Sequence, residues 1–109
     1  MDTSTISTRL IPTVQYVTPT TGSTVSAADS GNVTILINPA GALVSLTLAL
    51  NPSPQNGDAL CIASSKVITT FTMTGGTVIG AMTSMTLGGS SKYIYSSDAG
   101  VWARIQAIV

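Results

Sequence analysis

The chain contains no histidine and no glutamate, and Lys, Arg and Asp together supply only 7% of its 109 residues. Proton transfer near neutral pH uses a carrier tuned to that range, most often histidine or a carboxylate of raised pKa. The available acids are Asp2, Asp29, Asp58 and Asp98, and the bases are Arg9, Lys66, Lys92 and Arg104, scattered and never adjacent. Such a set argues for a scaffold rather than a catalyst. The formal net charge is zero and no basic stripe exists to neutralise phosphates, so nucleic acid is not the expected partner.

Cysteine is nearly absent as well. Cys61 stands alone, which excludes an intrachain disulfide, and its flanks Leu60 and Ile62 suggest a buried strand position. One cysteine and dispersed aspartates offer no metal-ligand spacing, and no cofactor motif is present. Long apolar runs are missing too. Between Asp29 and Asp58 lie 28 uncharged residues including ILINPAGALVSLTLAL, but Asn38-Pro39-Ala40-Gly41 interrupts them and the alternation is that of strands, so no membrane span is expected. The opening MDTSTISTRLIPT has an acid at Asp2 and no apolar core of signal-peptide type, so synthesis and retention in the cytosol are expected.

What the chain does contain is hydroxyl groups and apolar residues. Ser and Thr fill 31 positions and 44% of residues are hydrophobic, enough for a core in one domain. A folded chain of this size exposes about 5,600 Å², which so few charges cannot cover. Hydroxyls can solvate part of that surface, and other subunits can cover part of it.

Strand signals recur about every ten residues between Gly, Pro, Asn and Asp clusters, the spacing of an all-β sandwich or barrel. Residues 1–22, rich in Thr and holding Pro12 and Pro19, read as an extended N-terminal arm, and residues 23–109 as a β-domain. Val33, Ile35 and Ile37 alternate with Thr34 and Leu36, and Leu43–Leu50 follows the Asn38-Pro39-Ala40-Gly41 turn, which predicts an antiparallel hairpin. On its second strand Val44, Leu46, Leu48 and Leu50 share one face. Asn56-Gly57 supplies a turn with positive φ. Strands 59–63 and 67–73 follow, then the Gly75-Gly76 turn. Lys92–Tyr95 and Val101–Ile105 flank Ser96–Gly100 as a second hairpin, across which Trp102 can meet Tyr93 or Tyr95.

Each candidate for chemistry has a simpler explanation. Lys66 beside Ser64 and Ser65 is the nearest approach to a Ser-Lys dyad, yet a turn lysine that keeps a sheet edge soluble explains the same residues. Cys61 has no histidine to activate it. The run from Gly75 to Gly80 lacks both dinucleotide-binding glycine spacing and a P-loop lysine. Tyr93, Tyr95 and Trp102 form a candidate glycan-stacking platform, against which stands ordinary core packing.

The stretch Val33–Ile105 resembles small β-rich modules of tailed-bacteriophage virion proteins, of the head-decoration or cement type and of tail-fibre ends. The matching pieces are Asn38-Pro39-Ala40-Gly41, the Asn56-Gly57-Asp58 loop before an apolar strand, Thr74-Gly75-Gly76-Thr77 leading to Ile79-Gly80-Ala81, and Trp102. Met82 and Ala103 depart from the pattern, where Pro and an aromatic are expected. The resemblance implies a homotrimer with a shared core, attached to a capsid or tail surface. The expected fold is therefore an antiparallel β-sandwich or trimeric β-prism or barrel-like domain with its arm. The expected function is a non-enzymatic capsid decoration or cement protein of the virion, made in the host cytoplasm. It stabilises the head by docking Ile6, Leu10, Ile11, Val14 and Tyr16 on the major capsid protein or another virion protein. A chain of this length favours decoration over a tail fibre. The alternative is a tail-fibre or receptor-binding, carbohydrate-binding module using Tyr93, Tyr95 and Trp102.

Overall fold

Strand-forming stretches, apolar at alternate positions and broken by Gly, Pro and Asn, build the whole of the described chain. The computed structural model describes residues 12–106, which contain nine strands and no helix: β1 (Thr13–Val17), β2 (Thr24–Ser26), β3 (Asn32–Ile37), β4 (Leu43–Ala49), β5 (Ala59–Ser64), β6 (Ile68–Thr74), β7 (Thr77–Ile79), β8 (Ser90–Ser96) and β9 (Val101–Gln106).

The chain does not fold back after Asn38-Pro39-Ala40-Gly41. It crosses instead to a second sheet. β1, β3 and β5 lie side by side and parallel in sheet A, while β2, β4 and β6 lie side by side and parallel in sheet B. Successive strands therefore alternate between sheets, and each A–B pair is one coil of a short, solenoid-like stack with the core between the sheets. The predicted hairpin of Val33–Ile37 with Leu43–Leu50 is corrected by this pairing, and so is a wholly antiparallel architecture: sheet B is all parallel and sheet A is mixed. Residues 13–17, read from the sequence as part of an arm, form the first strand of sheet A through register Thr13–Val33 to Val17–Ile37.

The two inner faces are apolar. From sheet A they carry Val33, Ile35, Ile37, Leu60, Ile62 and Tyr93, and from sheet B Val25, Leu46, Leu48, Ile68 and Phe71, all buried. Leu46, Leu48 and Leu50 share the core face as predicted, but Val44 is exposed and Leu43 is buried in its place. Leu43 lies beside Ile68 and Leu46 beside Phe71, so both strands shift their inward parity together between these pairs.

A stack of parallel strands needs its ends closed, because an open edge presents unpaired N–H and C=O groups. At the C-terminal end the chain reverses. β8 runs antiparallel to β5, β9 antiparallel to β8, and β7 parallel to β9, so sheet A reads β1-β3-β5-β8-β9-β7. The predicted hairpin of Lys92–Tyr95 with Val101–Ile105 is thus present, its loop closing through Gly100 at φ 68°. On sheet B, residues 83–85 cover β6: Ile68 and Met85 exchange N–H···O bonds of 2.9 Å, and Phe71 N–H donates to Thr83 C=O at 2.8 Å. Met82 and Met85 are buried beneath this segment, and Met82 N–H donates to the Tyr93 hydroxyl at 3.2 Å.

At the N-terminal end a side chain joins the sheets. Gln15 of β1 faces inward, its Nε2 donating to Ser26 C=O and its Oε1 accepting from Ala28 N–H, both at 2.9 Å. Gln15→Ala removes both bonds and is expected to cost about 1–2 kcal/mol, read as a lower urea midpoint at unchanged m-value. A change within the about 0.5 kcal/mol typical of surface substitutions would show that the amide is not a tie.

Candidate functional site

Successive side chains of a strand leave opposite faces of its sheet, so the core residues determine which side chains each sheet turns outward. The two outward faces are chemically unlike. Sheet B presents Thr24 and Ser26 from β2, the exposed Val44 with Ser45, Thr47 and Ala49 from β4, and Thr70, Thr72 and Thr74 from β6. The parallel register stacks Thr24, Thr47 and Thr72 in one row and Ser26, Ala49 and Thr74 in the next. This is the face that hydroxyls solvate.

Sheet A presents few polar groups. Tyr16 and Leu36 with Ala63 and Ser90 form one outward row; Val14, Thr34, Cys61 and Lys92 form another; Asn32, Ala59, Ile94, Ala103 and Ile79 form a third; and Ser96, Val101 and Thr77 form a short fourth. Val14 is 62% exposed, Tyr16 63%, Ile79 60% and Leu36 39%. Ile105 is 57% exposed where β9 slips register against β8 between Lys92 and Tyr93. Lys92 is the single charged side chain in these rows.

A polar ladder ties the coils at the corner beside this face. Asn38 Nδ2 donates to the Tyr16 hydroxyl at 2.7 Å, and the Ser65 hydroxyl donates to Asn38 Oδ1 at 2.6 Å. Backbone bonds Asn38 N–H to Val17 C=O and Ser65 N–H to Ile37 C=O run parallel to it. Residues from three successive coils are thereby joined at one place, and the Asn-Pro pair supplies both the side chain and the extended backbone the corner needs.

The candidates for chemistry fall into structural positions. Ser64 is buried and its hydroxyl donates to the Lys66 carbonyl at 2.7 Å, so it closes the turn after β5, while Ser65 serves the ladder. The buried Asp58 accepts the Gln55 N–H at 2.8 Å within the Asn56-Gly57 turn, where Gly57 has φ 88° as expected. Cys61 is a correction: it is half-buried on the outward face of sheet A, because Leu60 and Ile62 take the core face. Gly75, at φ 86°, carries β6 into β7 over the Leu50 backbone, and Gly76 sits against the Leu50 and Trp102 side chains. Among the described residues no three His, Cys, Asp or Glu groups converge on a metal position, and no pocket opens.

The remaining sequence candidates divide. Tyr93 and Trp102 are buried and Tyr95 is half-buried, with Tyr95 and Trp102 in ring contact at 5.4 Å. Tyr95 and Trp102 are brought together, Tyr93 lies opposite Arg104, and the buried Tyr93 and Trp102 carry no open face for a sugar. Of the arm residues, Val14 and Tyr16 lie on the outward face of β1, while Ile6, Leu10 and Ile11 fall outside the described residues. The outward face of sheet A was not singled out in the sequence, although its signal was there. Ile35-Leu36-Ile37, Leu60-Cys61-Ile62 and Tyr93-Ile94-Tyr95 are apolar at both parities, the pattern of a strand covered on both sides.

No protein-family model matches the sequence, and no curated protein matches it either.

Proposed function

We propose that this chain is a non-enzymatic structural subunit of a tailed-phage virion, a capsid decoration or cement protein made in the host cytoplasm. It self-associates as a homotrimer through its β-domain and docks on the major capsid protein or another virion protein through its N-terminal residues. Two supports stand beside each other. One is the resemblance over Val33–Ile105. The other, which carries the reading, is a surface built for contact rather than for chemistry: an apolar outward sheet face with a single charge, Lys92, and no pocket among the described residues. Burial of that surface supplies affinity at roughly 25 cal/mol per Å² before ordering costs. The alternative, a tail-fibre or carbohydrate-binding module, depends on a ring platform whose members Tyr93 and Trp102 pack into the core.

The test is co-sedimentation. Tagged protein produced in cells that assemble tailed-phage particles is expected to band with the particles in a density gradient at a fixed copy number per head. Recovery only at the top of the gradient, from cells making each particle type tried, contradicts the proposal.

A further inference from the structure

The structure assigns the self-contact to the outward face of sheet A: in the trimer Val14, Tyr16, Leu36, Ile94 and Ile79 turn toward the three-fold axis and pack against the same face of the other two copies of this chain. This rests on the reading of the protein as a self-associating subunit and names the surface that does it.

The two outward faces differ in what they offer water. A strand face meant for water alternates polar residues with the core set, as β4 and β6 do with Ser45, Thr47, Thr70, Thr72 and Thr74. β3, β5, β8 and β9 instead place Leu36, Cys61, Ala63, Ile94 and Ala103 at the equivalent positions, interrupted by Asn32, Thr34, Ser90 and Lys92. Contiguous exposed apolar area of this kind marks an interaction site.

Size supports other copies of the chain. Six strands about 4.8 Å apart, with outward positions spread over five or six residues at about 3.3 Å each, make a face on the order of 500 Å². Covered on three chains it buries roughly 1,500 Å² in total, above the roughly 1,000 Å² at which a specific interface begins. Charge agrees as well. An anionic or cationic partner would find only Lys92 to pair with, whereas a copy brings a face as uncharged as the first. The lysine stem is long enough to lie along the contact and carry its ammonium to the rim. Cβ-branched and small residues dominate the face, so little side-chain freedom is lost when it is covered.

The experiment uses the full chain and reads two quantities: solution mass by light scattering, and the rate at which Cys61 reacts with a maleimide. Cys61 lies in the middle of the face, on β5 between Thr34 of β3 and Lys92 of β8. Leu36→Lys and Val14→Lys, both at positions already open to solvent in the single chain, are expected to reduce the mass to that of one chain and to accelerate Cys61 labelling. Circular dichroism should match the parent. Thr72→Lys, on the outward face of sheet B, is expected to change neither quantity. An oligomer that survives Leu36→Lys and Val14→Lys, or one that Thr72→Lys dissociates, overturns the assignment while leaving a self-associating subunit in place. A parent chain that is monomeric throughout overturns the assignment and the self-association together. Banding with particles is read separately and reports on the virion role alone.

Discussion

Replacing Trp102 with alanine is expected to destabilise the fold by about 3–5 kcal/mol, the range for truncating a buried large aromatic. The indole is 4% exposed. It lies opposite Tyr95 on β8 and beside Val78 on β7, and its ring meets that of Tyr95 at a 56° tilt. On its other side are Gly76 and, through the same turn, Leu50. One side chain therefore holds the two outermost strands of sheet A to the last coil. Native domains are stable by only about 5–15 kcal/mol, so much of the total is at stake, and the urea midpoint should fall accordingly. The substitution also separates two roles for this residue. A surface ring serving as a glycan platform could be removed with the midpoint unchanged, and that outcome would contradict the packing described here.

Ile62→Ala is the second large effect, at about 2–5 kcal/mol. Ile62 is fully buried, between Ile35 of β3 and Ser91 of β8 at the centre of sheet A. Neighbours on both sides are held by backbone pairing, so the cavity left by the missing atoms cannot close by a strand moving in, and the cost should fall in the upper part of the range. Thr72→Ser, on the hydroxyl face of sheet B, serves as the comparison and should change stability within about 0.5 kcal/mol. Equal effects at the two positions would mean that the inward and outward parities are misassigned.

The strands themselves were legible because period-2 alternation survives any pairing: Val33, Ile35 and Ile37 point inward whether β3 pairs with β4 or with β1 and β5. Pairing was not legible for the same reason. Asn38-Pro39-Ala40-Gly41 has the composition of a hairpin turn, and a corner between two sheets asks for the same residues. Stacked coils usually betray themselves by a fixed repeat. Here the coils are unequal in length, since Thr13 lies beside Val33 but Asn32 beside Ala59. What repeats is only a short pattern, Thr24-Val25-Ser26, Thr47-Leu48-Ala49 and Thr72-Met73-Thr74, brought into register by the fold. The last hairpin was legible because a short loop ending in Gly100 between two aromatic strands is a local signal that owes nothing to distant pairing, although the loop is residues 97–100 and Ser96 pairs with Val101. Cys61 was misread because apolar neighbours were taken to mean a buried residue. In a strand, burial of Leu60 and Ile62 means the reverse for the residue between them.

Every face described above depends on the parallel register of successive coils, and the single native cysteine offers a direct test of it. Thr34 and Cys61 are outward neighbours on β3 and β5, about 4.8 Å apart across the strands and so within the roughly 4.4–6.8 Å window for a disulfide. Thr34→Cys, oxidised at high dilution, is expected to lose both free thiols and form an intramolecular crosslink to Cys61. In an antiparallel hairpin Thr34 would instead face Ser45. Retention of both thiols in Thr34→Cys, with efficient crosslinking in a Thr34→Cys, Ser45→Cys, Cys61→Ser triple variant, would contradict the coil register and the faces built on it.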